Sequence, residues 1–547
     1  MSNLGVLVTV SIFVISVCIL LAIILPLTGV LDETSQYSDF EWNRFVAYRI
    51  FPASFRDSNS DGVGDIIGIS QRLNYLQQLG IRAIIVEGGL QNPVADVGMG
   101  SGIDDFNRIH SVLGKPTDMQ ELIAACNKQG ISVILELDVT STSTKHLWFR
   151  LSKRERHTAF TDYYHWSLGK TSDLADSKAT APDDRVQAEM TKVIQFWLSQ
   201  KVSGILLRNI DLVRFDSTAE AEERNLEQVK ALLEDWAKLT KEYAQNSKRT
   251  LKLLVETPSA KTALTLSKLG IVPISTSLHS AQDSAQSLTS SVEAWLTGPI
   301  SRQLEETGVM WSSGNGRIQR LSTRFGDNAL AVLALSIILP GAPIIYYGDE
   351  LGVQELNLAY NRSADTNDWG PDRWLKFQRR PHQATMPWTA VRDHFGFSES
   401  KRIWLSPTPT ESKATEQLSV SYQNSQLNSS LAIVKQFIEF RSNHRRFLER
   451  EPAQFLDTRN SDVIAFIRGS PEIQDPLSEG FIYVASLAPK QKYNTALIDL
   501  SNQVEFEEAT ILISNFDLTS DEPRTILLNN ILVSPGELML LKTVSIK

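Results

Sequence analysis

The run Asp57-Ser58-Asn59-Ser60-Asp61-Gly62-Val63-Gly64-Asp65 places a carboxylate or amide oxygen at every second position. Asp57, Asn59, Asp61 and Asp65 are hard side-chain donors, and Val63 can add a backbone carbonyl. That donor set suits Ca²⁺ held as a structural ion. The loop is not an EF-hand, because its twelfth position is Gly68 where a bidentate glutamate belongs. The same residues also read as an Asx-rich turn that needs no metal. Two N-x-S sequons, at Asn361 and Asn428, are candidate glycosylation sites on an exported face. Cys18 and Cys126 are the only cysteines, too few for a disulfide framework.

The elements that carry these residues begin with an apolar stretch. Leu4–Leu27 contains no charged residue, and about 20 such residues cross a bilayer core as a helix. Residues 4–28 therefore read as a transmembrane helix, 1–3 as a short tail and 29–41 as a juxtamembrane linker. A cleaved signal peptide would show a basic leader and an apolar core of about 7–15 residues. Cys18 falls inside the span. No Lys or Arg occurs before Arg44, so the basic-flank rule leaves the orientation open. The whole chain has 547 residues, 42% hydrophobic and 21% charged, a balance that excludes disorder and low-complexity fibres. A net charge of -9 gives no electrostatic footprint for nucleic acid.

Beyond the linker, short apolar runs alternate with stretches apolar at helical spacing. The runs are Phe45–Phe51, Ala83–Gly88, Val133–Leu137, Gly204–Arg208, Leu251–Glu256, Val272–Thr276, Val309–Trp311 and Pro343–Glu350. Eight strands with intervening helices fit a (β/α)8 barrel, and an open doubly wound sheet fits the same periodicity. From about Glu451 the pattern changes to alternating β-rich runs with turns, which predicts a small antiparallel β domain. Ser406–Ser430 is polar and reads as a long surface loop.

Tyr48–Val86 (YRIFPASFRDSNSDGVGDIIGISQRLNYLQQLGIRAIIV) resembles the start of the α-amylase superfamily, especially its α-glucosidase branch. FTDYYHW, QFWLSQKVSGILLRNI, WSSGNGRIQRLSTRFGDNA, PGAPIIYYGDELG and RRPHQATMPW follow in that family's order. The resemblance implies an amylase-like TIM barrel over 42–450, a C-terminal β-sandwich-like domain over 451–547, and Ca²⁺ in the Asp57–Asp65 loop. The family cleaves glycosides with retention, using a carboxylate nucleophile and a carboxylic acid about 5–5.5 Å apart. Those groups stand at the C-terminal ends of barrel strands. Here the nucleophile position of strand four is Arg208, a permanent cation with no lone pair to attack. On strand seven the transition-state carboxylate is replaced by Arg317, and its neighbouring histidine by Gly316. After strand three the sugar-contacting histidine is replaced by Ser141, and a sugar-stacking Tyr-Asp pair by Ser101 and Gly102. Only Glu256 matches, at the acid/base position, with Arg208 and Arg317 as its expected partners. One acid without a nucleophile cannot run the two-step mechanism. The insertion after strand three is also short, with fewer than about 40 residues between Trp148 and the helix near Arg185.

A membrane-anchored, inactive barrel of this kind resembles the heavy chains of heteromeric amino-acid transporters, of the 4F2 and rBAT type. That resemblance implies a non-enzymatic plasma-membrane subunit with a cytosolic N-terminus and an extracellular barrel. Its partner would be a multi-span transporter light chain, which it stabilises and delivers. Those heavy chains carry a juxtamembrane cysteine, and between Gly29 and Ser54 there is none here. The expected association is therefore non-covalent, with no disulfide to the partner. A membrane-tethered α-glucosidase-like hydrolase or sugar-binding protein is the alternative.

Overall fold

The computed structural model describes residues 45–90, 102–139, 141–154, 160, 163–164, 184–210, 219–281, 284–356, 380–390, 393–405, 416–444, 453–469, 480–489, 495–504, 506–516 and 524–543. Eight parallel strands close into a barrel in chain order. They are β1 (Ala47–Ile50), β2 (Ala83–Val86), β3 (Ser132–Asp138), β4 (Gly204–Arg208), β5 (Lys252–Thr257), β6 (Val272–Ser275), β7 (Met310–Ser312) and β8 (Ala342–Tyr346). Closure comes from β8 pairing with β1, with Arg49 opposite Tyr346. This excludes the open sheet. Each strand lies in one of the eight apolar runs except that β3, β5, β7 and β8 shift by a residue at an end. The eighth run does not stay extended to Glu350. Gly348 adopts φ 85° and Asp349–Leu351 turns into a short 3-10 helix.

Alternation along the strands fixes the inner layer. Phe45, Ala47, Ala83, Ile85, Ile134, Leu206, Leu254, Val272, Ile274, Met310, Ala342 and Ile344 form one buried cluster. It is separate from the larger core between strands and outer helices. Successive side chains point to opposite faces, so Arg49, Glu87, Glu136, Arg208 and Glu256 are the next inward positions, one step nearer the C-terminal ends.

The C-terminal region is antiparallel. A six-stranded sheet has the order β14-β13-β16-β11-β10-β9, and β12 pairs with β15 in a second sheet. The strands are β9 (Ala453–Leu456), β10 (Val463–Arg468), β11 (Phe481–Ser486), β12 (Ala496–Ile498), β13 (Glu508–Ser514), β14 (Thr525–Leu527), β15 (Ile531–Val533) and β16 (Leu538–Thr543). Ile482, Val484 and Leu541 pack against Ile498, Ile531 and Val533 between the two sheets. The opposite face, including Phe466, Tyr483 and Leu540, joins the barrel core. Tyr483 donates its hydroxyl to the Ala331 carbonyl at 2.7 Å. Arg441 donates to the carbonyls of Ile337 at 2.5 Å and Leu339 at 3.2 Å. Those acceptors belong to, or just follow, the apolar helix Ala329–Ile338, whose last carbonyls need donors.

The polar stretch Ser406–Ser430 is not all loop. Val420–Asn424 forms a helix N-capped by Ser419, with Val420 and Gln423 buried. Gln423 donates to the Leu351 carbonyl and accepts from the Leu431 amide, so a polar side chain pins the segment to the barrel. Among the described residues one stretch, Leu321–Ile338, is apolar enough to cross a membrane, and most of it is buried inside the protein. The span read from the sequence at 4–28 lies outside the described residues, as do Cys18 and Asn361.

Candidate functional site

Arg49 stands at the centre of the barrel's C-terminal mouth and is fully buried. Its Nη2 donates to Glu136 Oε2 at 2.5 Å, and its Nη1 donates to Glu256 Oε1. Its Nε lies 2.9 Å from Glu87 Oε2. That last contact is an ion pair and not a hydrogen bond, since the Nε–H finds no aligned acceptor. Glu136 also accepts from Arg208 Nη1 at 2.5 Å and from Arg317 Nη2 at 3.2 Å. Glu87 Oε1 accepts from the Gly316 amide at 3.0 Å. Three guanidiniums and three carboxylates thus form one connected cluster with no formal net charge.

Burial shapes its titration. Desolvation pushes the Glu87 carboxyl up to about 7, with Arg49 opposing and Glu136 adding to the rise. Burial pulls the Arg49 guanidinium down, but Glu256, Glu87 and Glu136 outweigh it and hold Arg49 above its ordinary range.

The sequence brings Arg208, Arg317 and Glu256 to one mouth, and the structure does the same. The pairing differs from expectation. Glu256 meets Arg49, reaching across from β1, whereas Arg208 and Arg317 both converge on Glu136. Arg49, Glu87 and Glu136 were not singled out in the sequence. Each is a lone charge inside an apolar strand run, which is the signal that could have found them.

The mouth departs from the arrangement that a retaining glycosidase uses. A retaining site needs open space between two carboxylates for the sugar. Here the Arg49 guanidinium lies between Glu136 and Glu256, bonded to both. The positions that hold the family's sugar contacts are closely packed here. A Cβ on Gly316 would fall 2.8 Å from Glu87 Oε1 and 3.1 Å from the Tyr346 hydroxyl. A Cβ on Gly102 would fall 2.3 Å from Ser143 Cα. Ser141 is half-buried, and its hydroxyl reaches only Asp138 Oδ2, at 3.4 Å.

The loop after β1 holds itself by Asx hydrogen bonds. Asp57 Oδ1 accepts from the amides of Asn59 and Ser60, and Oδ2 accepts from the Gly62 amide and Ser398 Oγ. Asp65 Oδ1 caps the helix Ile66–Ser70 through the Gly68 amide, and Oδ2 accepts from Ser58 N and Oγ. Asp61 Oδ1 accepts from the Val63 amide. Asp57 and Asp65 are buried, whereas Asn59 and Asp61 are exposed. The Asp65 carboxyl is held above its ordinary range, first by burial and in part by the Asp57 charge. All five donors are hard oxygens, and two are buried anions side by side. A divalent cation suits such oxygens, but here they are taken by the loop's own amides and hydroxyls, and among the described residues no group of three or more His, Cys, Asp or Glu is gathered for a metal. Asn428 is exposed. Cys126 is buried with a free thiol, pushed up to about 12 by burial, so it is inert toward a partner.

The chain belongs to the alpha-amylase family. The family's catalytic-domain model matches residues 49–183 and 173–450. Two kinds of relative stand at the same distance. Maltase 1 of Drosophila virilis is 25% identical over 465 residues, covering 72% of each chain. The amino acid transporter heavy chain SLC3A1 of Rattus norvegicus is 26% identical over 462 residues, covering 72% of this chain and 64% of that one. A Bacillus licheniformis trehalose-6-phosphate hydrolase superposes with a TM-score of 0.73, covering 92% of this chain and 100% of the other. At 18% identity that likeness speaks to the fold alone.

Proposed function

We propose that this chain is a non-catalytic heavy-chain subunit that stabilises a multi-span amino-acid transporter and delivers it to the plasma membrane. The observation that carries the reading is the Arg49–Glu136–Arg208 cluster in the place of a catalytic centre. A cation stands at the nucleophile position, and the remaining carboxylates are tied to guanidiniums. Charge of that sign opposes an oxocarbenium-like transition state. The SLC3A1 likeness and the apolar segment at 4–28 support the transporter part of the reading. In it the anchor is a single type II span, the barrel is extracellular, Asn361 and Asn428 carry glycans, and Ca²⁺ rigidifies the Asp57–Asp65 loop. The partner is held without a disulfide.

The test is to purify the full chain from native membranes in several detergents. A multi-span amino-acid transporter should copurify, and the complex should hydrolyse no α-glucoside above background. Turnover that disappears in Glu256→Gln would establish the membrane-tethered glycosidase instead. Arg208→Asp alone should not create activity, because Arg317, Gly316 and Ser141 still depart from the family's pattern.

A further inference from the structure

A groove of about 500 Å³ runs between the barrel and the C-terminal domain. One wall is the helix Ala285–Leu296, which turns Leu288, Val292 and Trp295 into the core and lies beside β9. Gln286, Ser290 and Glu293 line the groove from that helix. They are exposed and follow one another at about one helical turn, so they share a face. The other wall is the β9–β10 turn, which presents Arg459. The floor is apolar, with Phe455 half-buried and Leu456 buried. Small-molecule sites are of this size, gather at domain seams, and combine an apolar lining with a few polar groups that fix orientation.

Two of the polar groups carry opposite charge on opposite walls. Glu293 stands on the helix and Arg459 on the turn, both exposed. Among the described residues neither side chain has an ion-pair or hydrogen-bond partner. Asp499, in the turn after β12, feels the Arg459 charge, but Ser501 lowers its carboxyl first and Arg459 least. The turn fixes where Arg459 stands. Its amide donates to Asp457 Oδ1 at 2.9 Å, and Thr458 Oγ1 donates to the Val463 carbonyl at 2.8 Å. Gln503 accepts from the Asp457 amide and donates to the Asp457 carbonyl, both at 2.7 Å. These bonds hold Arg459 at φ 51°, a left-handed conformation that suits glycine or asparagine better than arginine. Residues held under such strain collect at binding sites. Asp457 spends one carboxylate oxygen on the turn, which leaves Glu293 as the acid with both oxygens free.

We infer that this groove binds a free α-amino acid with an apolar side chain. Glu293 takes the ammonium, Arg459 takes the carboxylate through its planar fork, and the side chain lies on Phe455 and Leu456. A ligand with a single charge leaves one wall unanswered, and a neutral sugar leaves both. The two walls belong to different domains, so occupancy bridges them and stabilises the folded chain by mass action. The inference goes beyond the transporter reading and does not rest on it, because the ligand is read from the charges of this groove and any substrate site of a partner belongs to another chain.

The test titrates the full chain in a neutral detergent, by calorimetry and thermal unfolding, with leucine and three probes that each lack a feature. Isoamylamine has no carboxylate, 4-methylvalerate has no ammonium, and maltose has no charge. Leucine should bind saturably and raise the melting midpoint, and each probe should bind at least about tenfold more weakly. Glu293→Gln and Arg459→Asn should each weaken leucine binding about tenfold. Both positions are exposed and asparagine suits the left-handed turn, so neither variant should melt lower than wild type without leucine; if Arg459→Asn does, Glu293→Gln decides alone. Leucine bound equally by wild type and Glu293→Gln overturns the inference, since the binding then lies elsewhere, in a copurified partner included. A probe that matches leucine also overturns it, as does the absence of both heat and midpoint shift at about 10 mM leucine.

Discussion

Replacing Glu136 by glutamine should destabilise the barrel strongly. Glu136 is 3% exposed and accepts from three arginines, Arg49, Arg208 and Arg317. Its amide would leave three cations facing Glu87 and Glu256 alone, a net positive charge in a dry site. Removing one partner of a buried ion pair costs about 3–5 kcal/mol. Unfolding entropy near the midpoint is about 2 cal/mol/K per residue, or about 1 kcal/mol/K for a body of roughly 500 residues. The melting midpoint of the full chain should therefore drop by about 3–5 °C. A second substitution separates charge balance from packing. Glu136→Gln with Arg208→Met removes one charge of each sign and keeps a long side chain at position 208. The pair should recover at least half of the loss, since neutral replacement of a buried ion pair is often tolerated. The assay is thermal unfolding in detergent at constant pH and salt, with wild type, both single variants and the double. A midpoint unmoved by Glu136→Gln, or strictly additive losses in the double, would refute a cluster held by mutual charge compensation.

Other expectations follow from the same geometry. Asp349 and Glu350 are pushed up to about 6 and about 7, mainly by burial, whereas such carboxyls titrate near about 4 when unfolded. The folded state therefore binds more protons between those values, and these two groups should lower stability as pH rises from about 4 to about 7 and add no slope above it, with Glu350→Gln flattening the fall; a Glu350→Gln profile parallel to wild type there would contradict it. Added Ca²⁺ should raise the midpoint over EDTA by mass action, and an equal shift in the Asp57→Ala, Asp61→Ala double variant would count against the loop as its site. Non-reducing electrophoresis of alkylated membranes should show no band at the summed mass of chain and partner. A dithiothreitol-sensitive band lost in Cys18→Ser would show the association to be covalent.

The barrel was legible because its strands are apolar on both faces, so runs such as Val133–Leu137 stand out from helices with a polar side. The shift in pattern near Glu451 was legible for the complementary reason, since antiparallel strands alternate. The mouth was legible only in part. Arg208 and Arg317 stand out because they fall on motif positions that demand carboxylates. What they touch could not be read, because contact across a barrel depends on inward register and side-chain reach, not on sequence spacing. Glu256 sits beside β4 in the sheet, yet its partner is Arg49 on β1. Arg49, Glu87 and Glu136 are hidden because one charge in an apolar run hardly changes its pattern. Five strands carry such a charge at or beside their C-terminal end, and period-two alternation from the apolar layer would have turned all five inward together. The helix Val420–Asn424 was hidden by composition: Ser, Thr and Gln suggested solvent, but Gln423 is buried with its amide hydrogen-bonded on both sides.

Stability and chemistry occupy different levels of the same strands in this fold. The level formed by Ala47, Ile85, Ile134, Leu206, Leu254, Ile274 and Ile344 is apolar and closed, and it asks nothing of the residues one step above. That step must still be filled, because an unpaired charge there would be far more costly than an ion pair. Arg208 in place of a carboxylate would by itself have buried a lone cation. Glu136 on the neighbouring strand answers it, Arg49 balances Glu136 against Glu256 and Glu87, and Gly316 leaves room for Glu87. The residues are therefore coupled: a side chain at 316 would press on the Glu87 carboxylate, and a carboxylate at 208 would stand against Glu136. Changing any one of these residues alone would leave a neighbour's charge unpaired, so the cluster reads as one charge-balanced unit spanning the barrel mouth.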